Sequence, residues 1–485
     1  MIILEKCVKT RFRIIFLLLI ISSSLFGCSL INNKETTQAT MEEEQSDAID
    51  NEQIDSNKEV EDGKNMEDVP ADDKLSIALE FAQDLSAADF DALLLKYSYD
   101  AKMKEAMAAA DTKKLVLFYN AEYGEVEEFK TPYSMVVGAY QYVMIPVKCT
   151  LSNFNYQIAF DSSNQIVGFT YAGFLERDTT SENKMPSNVT ETEYSFENDG
   201  YVLPGTFTAP VKGSDFPVVI LVQGSGPSDR DESIFENKPL RDIAWALAEK
   251  GIASFRYDKR TYLYAEKVGE DTSFTIEDEI IKDTVTATRM IMELENINPD
   301  KIYILGHSLG GYVIPRIAEE LPKAAGFIMM AAPAEHLTEY LMEQMKYVAG
   351  EDGTVTLPEQ QAISAAAEEL ELLADPTEIP EDKLVLGAYR DYWIDLSNYN
   401  AMEKAEEITA TVLVLQGERD YQVTMEQYNL WKGAFATYSN WTFLSYPSLN
   451  HLMMAGEGTP TSKEYMTKSN VDKQVTNDII AFINK

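Results

Sequence analysis

The chain predicts an α/β protein, a mostly parallel sheet with helices on both faces and a helical cap, preceded by a small α+β unit. Three observations lead there. Short apolar, β-prone runs recur at Pro217–Val222, Lys301–Leu305, Ala325–Ala331, Thr411–Leu415 and Trp441–Tyr446, with helix-like stretches between them, the alternation of a covered parallel sheet. The run Lys301–Leu305 passes through Gly306-His307-Ser308-Leu309-Gly310 into a helix-like stretch, Tyr312–Ala318. The segment from about 333 to 405, between two of the strand-like runs, is too long for a simple connection and spaces its apolar residues by three and four, as a helical cap would.

Strand, sharp turn and helix are what a G-x-S-x-G nucleophile elbow requires. The turn would lift the Ser308 hydroxyl above the sheet edge, and glycines two positions to either side leave room for strand and helix to pass closely. Ser308 is the candidate nucleophile. Its general base must be a histidine, and the chain has 3. His307 lies inside the elbow, where its ring would point away from the serine hydroxyl. His336 opens a long helical stretch. His451 follows the strand-like Trp441–Tyr446 and precedes an amphipathic helix, Val475–Ile483, so a loop after the last core strand would present it.

The acid is expected between serine and histidine. Asp420, with Glu418 as the other candidate, sits just after Thr411–Leu415, at the carboxyl end of the sheet, where ligands and catalysis collect. Two backbone amides should stabilise the oxyanion. One is Leu309, after the nucleophile. The other belongs to the loop Gln223-Gly224-Ser225-Gly226-Pro227, with Ser225 first and Gly226 next.

These motifs, with Gly224–Glu232, Gly251–Arg260 and Tyr392–Leu396, resemble the α/β-hydrolase superfamily in its bacterial esterase and serine-aminopeptidase-like branch, over roughly residues 190 to 485. The resemblance favours Asp420 over Glu418, because G-x-x-D-x-x-V is the family's usual spelling of that loop. It implies a Ser308–Asp420–His451 triad that cleaves carboxylic esters through an acyl-enzyme, and with no H-E-x-x-H or clustered Cys and His spacing in the chain no metal or cofactor is expected. Alternatives are a serine peptidase or aminopeptidase acting on short peptides, and a non-catalytic surface binding lipoprotein. One departure stands out: the family commonly has His-Gly where this chain has Gln223-Gly224, which puts loop packing and substrate preference in question. The charged clusters Asp229–Glu232 and Asp258–Arg260, near the same sheet edge, read as structural ion pairs, with contact to a polar part of the substrate as the alternative.

Residues 1–27 read as a secretory signal, with Lys6, Lys9, Arg11 and Arg13 before the apolar run Ile14–Ile21. That run is shorter than the roughly 20 residues that span a bilayer. Leu25-Phe26-Gly27-Cys28 resembles a bacterial lipobox, which implies lipid attachment at Cys28 and an extracytoplasmic, membrane-anchored protein. Residues 28–74 read as a disordered tether, since positions 29–74 carry 15 Asp or Glu against 4 Lys and almost no large apolar residues. With 41 Lys and Arg against 80 Asp and Glu, the net charge of −39 argues against nucleic-acid partners, which need a basic surface. Residues 75–178 form a separate unit, two amphipathic helices and then a meander of strand-like runs at 136–147, 156–160 and 166–171. Helices followed by a curved sheet resemble the nuclear-transport-factor-like group, and the unit resembles an uncharacterised domain found ahead of bacterial hydrolases.

Overall fold

Two β-sheets organise the chain. The computed structural model describes residues 71–485 except 138–139, 152, 174–183, 352, 354 and 356, so the expected signal, Cys28 and the tether up to residue 70 lie outside the described residues. The smaller sheet has five strands, β1 (Val126–Phe129), β2 (Tyr133–Val137), β3 (Tyr140–Cys149), β4 (Phe154–Phe160) and β5 (Ile166–Gly173), all paired antiparallel.

Among the described residues, four helices precede that sheet: Ala71–Ser86, Phe90–Leu95, Ala101–Ala108 and Ala110–Tyr123. The first begins four residues before the apolar pattern that starts at Leu75, and it buries Ala78, Phe81, Ala82 and Leu85, one stripe at helical spacing, against the strands. The single strand expected over 136–147 is a hairpin instead. Val136 and Val137 end β2, Tyr140 opens β3, and Val137 pairs with Tyr140. The residues between the two strands include Gly138, a break that a single-strand reading of the run passes over.

The larger sheet has eight strands in the order β13-β12-β11-β10-β8-β9-β7-β6. These are β6 (Val189–Asn198), β7 (Tyr201–Pro210), β8 (Phe216–Val222), β9 (Ala253–Tyr257), β10 (Ile297–His307), β11 (Gly326–Met330), β12 (Thr411–Gly417) and β13 (Trp441–Tyr446). From β9 to β13 every neighbouring pair is parallel, and β6 and β7 add an antiparallel edge. Central strands buried on both faces need apolar residues at every position. Successive side chains divide between the two faces: Val218, Ile220 and Val222 of β8 enter one core, Val219 and Leu221 the other, and β12 divides the same way, Val412 and Val414 against Leu413 and Leu415.

Helices cover both faces. Pro239–Glu249 turns Leu240, Ile243, Ala244 and Leu247 into one core, beside Val475, Ile479 and Phe482 of the last helix, Lys473–Ile483, while Val285, Ala287 and Ile291 of Lys282–Met292 fill the other. The expected cap region is helical, with Leu337–Gly350 packed on Leu357–Leu372, then Arg390–Ser397 and Ala401–Ala405. Phe235, on the loop after β8, packs with Tyr133, Tyr142 and Met144 of the smaller unit.

Cap helix Leu337–Gly350 starts on His336, whose Nδ1 accepts from the Thr338 amide at 3.3 Å, while its Nε2 is buried without a partner. A ring accepting at Nδ1 is neutral, and burial lowers its pKa from the usual 6.5. Unfolding releases the ring into water, where it takes up a proton below about pH 6.5. The unfolded state therefore binds more protons as pH falls through that value, and stability drops. Urea unfolding midpoints measured between about pH 7 and pH 5 should fall more steeply for the native chain than for His336→Asn, which keeps a capping side chain without the titration.

Candidate active site

The turn at the end of β10 sets the site. Ser308 has φ 52° and ψ −118°, between the last residue of the strand and a short helix, Leu309–Tyr312, and its amide donates to the Met330 carbonyl at 2.9 Å. Such a backbone costs a non-glycine residue about 1–3 kcal/mol and persists only where its surroundings hold it. Ser308 is partly exposed, while His307 and Leu309 on either side are buried. The single helix expected over 312–318 is two, Leu309–Tyr312 and Ile314–Glu320, because Pro315 cannot donate to a continuing helix and sits in the first turn of the second one.

Glycine is required here by space. A Cβ on Gly306 would lie 2.2 Å from the Gly310 carbonyl oxygen, and one on Gly310 would lie 2.5 Å from the Gln223 carbonyl oxygen. The elbow therefore touches the loop after β8 through bare backbone. A Cβ on Gly224 would meet the Ser308 Cβ at 3.1 Å, which places that loop beside the serine.

His451 lies on the loop after β13, and Asp420 on the loop after β12. The His451 Nδ1 is 2.7 Å from the Asp420 Oδ2. The other carboxylate oxygen accepts from the amides of Gln422 at 2.8 Å and Val423 at 2.9 Å, and the Gln416 amide group donates to Oδ2 at 3.1 Å. With Nδ1 donating to a carboxylate, the neutral ring keeps its lone pair on Nε2, the atom a general base needs. Glu418 is exposed and accepts from the Ser445 hydroxyl at 2.8 Å, so the carboxylate brought to His451 is that of Asp420. A Cβ on Gly417 would lie 2.4 Å from the Leu449 carbonyl oxygen, so the two loops are pressed together.

Two buried glutamates pin the loop after β8. Gly224 donates its amide to Glu232 Oε1 at 2.6 Å, and Gly226 donates its amide to Glu279 Oε1 at 3.1 Å. That bond corrects one expectation: the Gly226 amide is committed to a carboxylate and is not open to an oxyanion. Leu309 opens its helix, where amides have no intrahelical acceptor. The Lys259 ammonium bonds both the Gly224 carbonyl at 2.8 Å and Glu279 at 2.7 Å, and the Tyr392 hydroxyl of the cap donates to Glu279 Oε2 at 2.9 Å. Gln223, in place of the family's histidine, donates to the carbonyls of Tyr257 at 2.5 Å and Asp229 at 3.2 Å, so its side chain ties the loop to the end of β9.

The charged clusters pair as expected. Arg230 forms a fork on Asp258 at 3.1 and 2.8 Å, Arg256 reaches Asp231 at 2.8 Å, and Arg260 holds Asp283. The sequence reading did not assign functional places to Glu232, Glu279 and His307. Glu232 was visible only as one more charge in its cluster. Glu279 lies on a single π-helical turn, Glu277–Ile281, which leaves no mark in the residue pattern.

Fold and site together fit a hydrolase of the α/β class, with the candidate residues at the carboxyl end of a parallel sheet. A family model described as serine aminopeptidase, S33, matches residues 238–457. The chain is 34% identical over 415 residues to esterase EstD of Thermotoga maritima, covering 84% of this chain and 95% of that one. Solved structures that match include Est1E from Butyrivibrio proteoclasticus (16% identity, 60% of this chain, 99% of that chain, TM-score 0.40) and an esterase of Pyrococcus furiosus (16%, 63%, 95%, 0.40). The chain belongs to the α/β-hydrolase family, in its esterase and serine-aminopeptidase-like branch, and is a serine hydrolase, which removes the reading as a non-catalytic binding lipoprotein.

Gly310→Ala should be destabilised by about 1–3 kcal/mol, because its new methyl group meets backbone that has no room to move. Thermal unfolding of the variant beside the native chain would show it as a lowered midpoint, and an unchanged midpoint would mean the elbow is looser than its geometry.

Proposed function

We propose that the protein is a carboxylesterase whose catalytic triad is Ser308, Asp420 and His451. The observation that carries this is the His451 Nδ1 contact with Asp420 at 2.7 Å, on loops next to the strained Ser308 turn. Ser308 attacks the ester carbonyl while His451 takes its proton at Nε2. Asp420 holds the ring orientation and stabilises the imidazolium that forms. The amides of Leu309 and Ser225 receive the oxyanion. His451 then returns the proton to the leaving alcohol, and water, activated by the same histidine, cleaves the acyl-enzyme to free acid and serine.

The ester preference rests on the relationship to EstD. A peptidase reading draws on the family description as serine aminopeptidase and would use the same residues. Anchoring belongs to the proposal as well: the signal-like residues 1–27 and the lipobox-like Leu25–Cys28 support lipid attachment at Cys28 and work on the outer face of a bacterial membrane.

The test is hydrolysis of p-nitrophenyl esters from acetyl to dodecanoyl, beside aminoacyl p-nitroanilides, by the full chain in mild detergent. Ser308→Ala should lose about 10⁶-fold in turnover, and Asp420→Asn about 10⁴-fold. Cleavage of the anilides alone would replace the esterase with the peptidase.

A further inference from the structure

Glu232 and His307 lie next to the site and take no chemical step in the mechanism above. The His307 Nδ1 is 2.9 Å from Glu232 Oε2, and its Nε2 is 3.0 Å from the His451 carbonyl oxygen. The other Glu232 oxygen accepts the Gly224 amide at 2.6 Å. Glu232 and His307 are 5% and 2% exposed, too little for water to substitute for either partner.

A carbonyl oxygen can only accept, so His307 carries a proton on Nε2. The carboxylate at Nδ1 also accepts, and its own second oxygen is occupied by an amide. A histidine between two acceptors holds both protons and is an imidazolium. Glu232 keeps this place at φ 53°, a left-handed backbone that a glutamate rarely adopts.

We propose that Glu232 and His307 are positioning residues, a buried carboxylate–imidazolium bridge that fixes the loop carrying the oxyanion donor to the loop carrying the catalytic base. The inference rests on the triad reading. From Gly224, one residue before Ser225, the bridge runs through Glu232 and His307 to the backbone of His451 itself. It sets the separation of the two loops, which no single strand or helix spans. Neither residue touches the reacting atoms.

The groups facing His307 are Glu232, the His451 ring at 4.6 Å between centroids, and Asp420 beyond it. Burial disfavours the charged ring, while Glu232 and Asp420 favour it, and the net direction is upward from the usual 6.5. As pH rises through that raised value, Nδ1 loses its proton, two lone pairs face each other, and the bridge opens.

Glu232→Gln separates geometry from charge. Its amide can still accept from Gly224 and can donate to a neutral His307 Nδ1, so it keeps the hydrogen bonds without the ions. Glu232→Ala breaks the bridge. With p-nitrophenyl esters and the full chain, Glu232→Ala should lose about 10- to 100-fold in kcat with little change in KM. Glu232→Gln should regain most of that at neutral pH and lose the alkaline fall that His307 titration gives the native enzyme.

Ring-nitrogen spectra of histidine-labelled protein, with only 3 histidines to resolve and His307→Gln as the assignment, should show both His307 nitrogens protonated at about pH 7.5 in the native chain. In Glu232→Gln, Nδ1 should be unprotonated. A neutral His307 in the native chain, or a folded Glu232→Ala with native kcat, would overturn the proposal. If Glu232→Ala does not fold, the spectra of the native and Glu232→Gln chains decide it. Esterase activity surviving in Ser308→Ala would overturn the triad itself, whereas an inactive Ser308→Ala beside an unaffected Glu232→Ala would overturn the bridge alone.

Discussion

Two stretches of backbone pass within contact distance at the carboxyl end of the parallel sheet, and the site depends on that approach. The elbow after β10 and the loop after β8 meet through Gly310 against the carbonyls of Val222 and Gln223. No side chain separates them, so the Ser308 turn and the loop carrying Ser225 are set by neighbouring parallel strands, β8 and β10, in fixed register. Loops from β12 and β13 complete the site, and they too are held by a glycine, Gly417, against the Leu449 carbonyl. A sheet supplies what flexible loops cannot, namely reference points whose separation is fixed by hydrogen-bond spacing.

Buried ions take over where the strands end. Lys259 and Glu279 are 2% and 1% exposed, and together they bind the Gly224 carbonyl, the Gly226 amide and the Tyr392 hydroxyl. Burying such a pair brings little net stability, but removing one partner strands the other charge at a cost of about 3–5 kcal/mol. The arrangement therefore acts mainly as a constraint: the loop is held where the Gly224 carbonyl, the Gly226 amide and both charges meet their partners together. Tyr392 extends that constraint to the cap, so the cap helix Arg390–Ser397 is tied to the oxyanion loop through one carboxylate.

β8, β10, β11 and β12 were legible because burial on both faces leaves apolar runs such as Thr411–Leu415, and the half-buried edge strand β13 was legible from its aromatic residues Trp441, Phe443 and Tyr446, whereas β6, β7 and β9 were not assigned. Ser308 was legible from its flanking glycines, and His451 from the scarcity of histidine. The choice of Asp420 over Glu418 needed the family's loop spelling, since both follow the same strand and only the fold turns one inward. The β2–β3 hairpin was missed although Gly138 lies between its strands, because a lone glycine between apolar residues also fits the interior of one long strand. Glu232 and Glu279 were missed for a different reason: a glutamate bound for the interior looks like any other among 80 acidic residues, and only its distant partners, Gly224, His307, Gly226 and Lys259, reveal it.

The backbone at Ser308 also sets a relation between durability and use. A glycine there would relax the φ 52° turn at no steric cost, so the fold would gain stability by giving up its proposed nucleophile. Any search that rewards thermal resistance alone would tend to erase the serine, and only selection for turnover would keep a strained residue at the proposed site of attack.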